Sequence, residues 1–188
     1  MPYNRQRLKM MIITALFAAI IGILAQVTIP LPLVPITGQT LAIGLAATIL
    51  GSRYGTFSVI LYLIIGAAGI PVFAEMSGGI SKIFGPTGGY LIGFIPTAYF
   101  TGLILEKTRF KVPHAIIANI VGMLIALTFG TIWLKYSASL TWTAAIAGGA
   151  APFLLVGVIK AAIAGWVGIL VRNRLEASKM LPQEKVSV

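Results

Sequence analysis

The sequence predicts an all-α integral membrane protein, a compact six-transmembrane-helix bundle with both termini cytoplasmic. Three observations carry that expectation. Of 188 residues, 58% are apolar and 10% charged, with a mean hydropathy of +0.98, whereas a soluble domain carries about a quarter charged residues. The apolar residues form long runs separated by turn signals, and the length holds about six spans of ~20 residues. The basic residues, which give a formal charge of +10, fall between those runs rather than in a patch interleaved with aromatics. They therefore read as membrane topology, with no nucleic-acid partner.

The first run, 8–29, follows Arg5, Arg7 and Lys9. It is too long for a signal-peptide core and lacks a small-residue cleavage site before Pro30, so a retained helix is expected. Ala15 and Ala19, with Ala18 beside them, give it a small-xxx-small patch suited to helix packing within the chain or to a partner. Residues 28–38 hold Pro30, Pro32 and Pro35, and each residue before a proline is pushed toward extended geometry. A stiff apolar outer loop follows. The second run, 39–50, would rise only ~18 Å as a helix against a ~30 Å hydrocarbon core. It is either a short helix shielded by neighbours or a re-entrant piece.

Gly51-Ser52-Arg53-Tyr54-Gly55 makes a short basic connection to the third run, 56–70. Residues 69–87 then show no obvious element, and connections of that length are functional or disordered. Low charge and the aromatics Phe73 and Phe84 argue against disorder. The fourth run is 88–105, the basic connection 106–113 leads to the fifth at 115–134, and the sixth is 153–171. From Glu176 the chain reads as a frayed cytoplasmic tail, and nothing divides 1–188 into separate domains.

Lys and Arg accumulate in cytoplasmic loops. With six spans and the N-terminus inside, the cytoplasmic set is Arg5, Arg7, Lys9, Arg53, Lys107, Arg109, Lys111, Arg172, Arg174, Lys179 and Lys185, while the outer connections hold only Lys82 and Lys135. Five spans would break that separation. Loop elaboration thus lies outside, where a site for an external solute belongs.

The remaining cation, Lys160, falls inside the last run, and a lysine at such depth costs about 2.5 kcal/mol or more without a partner or water. Glu106, Glu176 and Glu184 are cytoplasmic by this topology, leaving Glu75 as the one outer carboxylate. Lys160 is then a receptor for an external anion such as a carboxylate, a snorkelling side chain, or a partner of Glu75. Around it Gly157, Ala161, Gly165 and Gly168 give one helix face almost no side chain, open to a helix or a ligand.

Several chemistries are excluded. With no Cys there is no disulfide or thiolate, and no metal-ligand cluster or resident cofactor is expected. No phosphate-loop motif occurs, and His114, directly after Pro113, sits at the cytoplasmic start of the fifth helix as a surface residue. A small membrane enzyme would have to use Glu75 and Lys160 as its catalytic pair, and a purely structural helix bundle would use them only as a packing pair. The favoured reading is a binder with an outward pocket that another protein must energise for transport.

The ordered motifs Val34-Pro35-Ile36-Thr37-Gly38-Gln39-Thr40, Leu50-Gly51-Ser52-Arg53-Tyr54-Gly55, Gly69-Ile70-Pro71-Val72-Phe73, Gly78-Gly79, Gly85-Pro86-Thr87-Gly88-Gly89-Tyr90, and Pro152-Phe153 with Ile159-Lys160-Ala161 resemble the BioY family. These are the biotin-specific S components of energy-coupling factor (ECF) vitamin transporters. The resemblance implies capture of extracellular biotin at a prokaryotic plasma membrane, together with a membrane-embedded T component and two cytoplasmic ATPases. It implies ligand-binding roles for Gln39, Phe73, Ser77, Gly78, Gly79, Gly89, Tyr90, Phe153, Gly157 and Lys160, and a T-component contact at Ala15 and Ala19. The family's Gly-Asp-x-x-Lys pattern departs here, with Val156 and Gly157 preceding Lys160. Losing that acceptor leaves two ureido N–H groups to find other partners, at roughly 1–3 kcal/mol each if they fail. Lipoate, with a similar tail and no ring N–H, or a related short-chain carboxylate, is the alternative ligand.

Overall fold

A computed structural model describes residues 2–181, with their side chains from residue 6 onward. Seven α-helices are present among them: α1 (Pro2–Ala25), α2 (Gln39–Ala67), α3 (Ile80–Phe84), α4 (Gly88–Lys107), α5 (Val112–Ser137), α6 (Trp142–Gly149) and α7 (Ala151–Ala177). Two short strands, β1 (Thr28–Ile29) and β2 (Ile36–Thr37), pair antiparallel with Thr28 opposite Thr37. Helices α2, α4, α5 and α7 close a ring, and α1 packs on α2 from outside. Five helical segments are long and apolar enough to cross a membrane, α2 counting as one of them.

The second and third runs are the two arms of α2, which meet at a sharp corner at Gly51. Gly51 adopts φ 78°, ψ −174°, a region essentially reserved for glycine. The chain doubles back there. A Cβ on Gly55 would lie 2.8 Å from the Ala47 Cα, and the Gln39 amide donates to the Tyr62 hydroxyl. In one straight helix those two residues would stand about 35 Å apart. The short arm 39–50 is shielded by its neighbours: Ala42, Ile43, Gly44, Thr48 and Ile49 are all buried. Of the two alternatives for this run, the shielded short helix is the one found.

The corner exposes helix ends that side chains satisfy. Glu106 accepts from the Ser52 N–H and the Ser52 hydroxyl, each at 2.7 Å, placing a carboxylate at the N-terminus of the second arm, where the dipole favours it. Arg172 of α7 donates to the Ile49 carbonyl at 2.7 Å at the C-terminus of the first arm. It also pairs with Glu176 at 2.8 Å and lies 3.5 Å from the Phe110 ring centroid.

Several boundaries differ from expectation: α2 ends at Ala67 rather than 70, α4 runs on to Lys107, and α5 spans Val112–Ser137. The first run ends as helix at Ala25, and its last residues form β1. The 69–87 connection holds a 3₁₀ turn at Ala74–Met76 and the short helix α3. Helix α7 continues past residue 171 to Ala177, so Arg172 and Arg174 are helical rather than loop residues. Leu181 is buried with Met10, Ile13 and Phe17, so the tail is docked to that point; Glu184 and Lys185 lie outside the described residues. Helix α6 had no expected counterpart; the Thr141 hydroxyl caps it, accepting from the Ala144 N–H at 3.2 Å.

With lipid as solvent, helices are held by close packing and internal polar bonds. The small-residue stripe of α7 serves this purpose: Gly165 faces Ile116 of α5 and Gly168 faces Thr48 of α2. Buried Asn119 adds a bond of 2.9 Å to the Thr48 hydroxyl.

Candidate ligand-binding site

A cavity of about 330 Å³ opens at the end of the ring opposite the Gly51 corner and the basic residues around it. Its walls come from the 31–35 loop, the start of α2, the 73–77 turn, the 82–87 segment, the start of α4, the middle of α5 and the first half of α7.

One wall is polar. Lys160 donates from Nζ to the Thr37 carbonyl at 2.7 Å and reaches the Thr40 hydroxyl at 3.4 Å. It therefore neither snorkels free of the protein nor pairs with Glu75: the one ion pair within 4.0 Å among the described residues is Arg172 with Glu176. Beside it the Thr37 hydroxyl donates to Gln39 Oε1 at 2.7 Å, while the Gln39 amide donates to Tyr62. Lys160 and Gln39 thus belong to a chain of dipoles that lines the cavity without a balancing carboxylate in contact.

Another part of the lining is aromatic. Phe73 stands edge-on to Tyr62 with centroids 5.5 Å apart, and Tyr90 lies 6.2 Å from Phe153. Each ring is seated on a glycine: a Cβ on Gly66 would overlap the Phe73 ring, and one on Gly130 would overlap Tyr90. The Tyr90 hydroxyl donates to the Gly149 carbonyl at 2.6 Å, fixing the ring's tilt from the α6 end.

Of the residues singled out from sequence, Gln39, Phe73, Ser77, Tyr90, Phe153, Gly157 and Lys160 line this cavity together. Gly78, Gly79 and Gly89 lie outside the lining; Gly89 is where α4 abuts Trp133 and Phe129 of α5. The Ser77 hydroxyl donates to the Ala74 carbonyl at 2.6 Å, leaving its oxygen able to accept. At Gly157 the side-chain space is taken by the Met123 thioether of α5. Met123, Leu127 and Phe94 also line the cavity, and no sequence signal marked the two α5 residues, since apolar side chains facing lipid, core or cavity look alike. Phe94 lies one helical turn beyond Tyr90, which was a usable hint.

Ala15 and Ala19 are exposed on α1, whereas Ala18 is buried. Met11, Ile12, Leu16 and Ile23 share that exposure, so this face of α1 is turned outward from the bundle.

The BioY family model matches residues 2–177. The chain belongs to the BioY family. Among BioY relatives, the biotin transporter BioY2 of Lactococcus lactis subsp. cremoris is 42% identical over 163 residues, covering 87% of this chain and 90% of the relative. The biotin transporter BioY of Thermotoga maritima is 34% identical over 166 residues, covering 88% and 97%. The fold matches the 2.1 Å crystal structure of the S-component for biotin from an ECF-type ABC transporter, with TM-score 0.84, 29% identity, and coverage of 90% of this chain and 94% of that one. These BioY proteins are named as transporters and the matched structure as a transporter component; the chain is a multi-pass membrane transporter subunit rather than an enzyme. The lipoate alternative finds no support among them, since each is named for biotin.

Proposed function

We propose that this chain captures biotin from the outer side of a prokaryotic plasma membrane and delivers it as the S component of an ATP-driven ECF transporter. The observation that carries the reading is the cavity itself, in which a lysine without a contacting carboxylate and an amide share the lining with two glycine-seated aromatic rings. The rings would sandwich the apolar body of the bicyclic ligand, and Lys160 with Gln39 would meet its polar atoms. The Ser77 oxygen and the Thr37 carbonyl supply acceptors for ring N–H groups, in the role that a carboxylate at position 157 would otherwise fill. The relatives' naming for biotin supports the same ligand.

In this reading both termini face the cytoplasm, ATP is hydrolysed by two partner ATPases, and the exposed Ala15 and Ala19 of α1 receive the T component. Retention tests the ligand: protein purified in detergent from cells fed labelled biotin should carry about one equivalent, and Lys160→Ala protein much less. Wild-type protein that emerges free of label, and takes up none when it is supplied, would overturn the proposal.

A further inference from the structure

The wall that carries Phe73 is built on an unusual turn. Glu75 and Met76 follow one another with φ of 59° and 53°, in the left-handed region that non-glycine residues visit rarely. The turn is closed internally by the Phe73 N–H donating to the Ser77 carbonyl at 2.9 Å and the Ser77 N–H to the Ala74 carbonyl at 3.3 Å. Strained turns of this kind persist only where their surroundings over-determine them.

Beyond the turn's own bonds and the seat of the Phe73 ring on Gly66, an amide from outside the turn holds its backbone. Gln26, one residue beyond α1, donates from Nε2 to the Phe73 carbonyl at 3.0 Å and to the Gly22 carbonyl at 3.1 Å, and its Oε1 accepts from the Met76 N–H at 2.9 Å. Both amide protons and the oxygen are thus used, and the partners fix which way round the group sits. Gln26 thus holds the residue before the turn, Phe73, and the second of the left-handed pair, Met76. One turn back, Gly22 lets Val72 approach, with 3.3 Å from a Cβ placed at 22 to the Val72 Cβ.

We infer that Gln26 is the positioning residue through which α1 holds the Phe73 wall of the cavity. It lies outside the cavity lining and acts by stabilising the left-handed pair that sets where the Phe73 ring stands. Any tilt of α1 is transmitted to that ring through the same amide. The inference deepens the biotin reading and rests on it for the ligand, though the positioning itself can be read without one.

Gln26→Glu keeps the shape and the acceptor for Met76 but removes both donors, setting a carboxylate oxygen against the Phe73 carbonyl. In ligand-free protein, backbone hydrogen exchange across 73–77 should quicken about tenfold, on the scale of one lost hydrogen bond, with the short arm of α2 unchanged. Biotin affinity should fall about tenfold, carried by faster release rather than slower association. Combining Gln26→Glu with Met76→Gly should recover part of that loss, because glycine takes positive φ without steric cost; a general loss of stability would not be repaired by a residue that loosens the unfolded chain. Unchanged exchange at 73–77, or a loss that persists in full in the double variant, overturns the inference. Wild-type protein that ignores biotin while Gln26→Glu still speeds the exchange would sink the ligand reading and leave Gln26 as the residue that sets the turn.

Discussion

The two ends of the short helical arm 39–50 are gripped by the same helix in the same way, yet they do different things. Lys160 and Arg172 of α7 each donate at 2.7 Å to a backbone carbonyl, of Thr37 and Ile49 respectively. Each bond spans 123 positions along the chain, so the two helices run parallel and in register. Around Arg172 the surroundings are complete: Glu176 pairs with it, Phe110 stacks on it and the side chain is buried. Around Lys160 the partners are a carbonyl and a hydroxyl; no carboxylate lies within 4.0 Å of it among the described residues, and it lines the cavity, whose lining also includes Glu75. The same device thus serves as a fastening at one end and a receptor at the other. What separates them is whether the protein supplies the counter-charge.

Removing the fastening should have the largest effect. Arg172→Ala leaves Glu176 without its cation and the Ile49 carbonyl without its donor, which should cost about 3–5 kcal/mol; thermal unfolding in detergent should show a large fall in Tm whether or not ligand is present. At the other end Lys160→Met should reverse the pattern. Biotin affinity should drop on the order of 10- to 100-fold, the scale of a charge-assisted bond, while ligand-free Tm changes little because a half-buried ammonium is removed along with its bonds. If both variants lost stability alike, the contrast between the ends would fail.

Smaller changes sharpen the same contrast. Glu106→Gln weakens the cap on Ser52 and should cost about 1 kcal/mol of stability, with biotin affinity intact because the corner is remote from the cavity. Tyr90→Phe removes the bond to the Gly149 carbonyl, worth about 0.5–1.5 kcal/mol. The ring remains seated on Gly130, so titration should show an affinity only a few-fold weaker.

Much of this arrangement was legible in the chain because glycine, proline and lysine are conspicuous in an apolar background. The prolines of 30–35 and the glycines near 88 marked the loops that wall the cavity, and Lys160 announced itself by its depth. The Gly51 corner was marked only as a short basic connection: its length was readable, but that Glu106 and Arg172 close its two helix ends was not, since both looked like ordinary cytoplasmic charges. The α5 contribution was invisible for a different reason. Hydrophobic periodicity separates core from water, and where the solvent is itself apolar, Met123 and Leu127 carry no mark that distinguishes a cavity wall from a lipid contact. Helix α6 and the two-residue strands were missed because neither is long enough to show a period.

The central claim is that Lys160 lacks a counter-charge because the ligand supplies the polar partner, and calorimetric titration of ligand-stripped protein tests it most directly. Biotin should bind tightly at one equivalent, lipoate should bind far more weakly, and Lys160→Met should erase most of the difference. Absence of biotin binding by the folded wild-type protein, or equal affinity in wild type and Lys160→Met, would contradict the account.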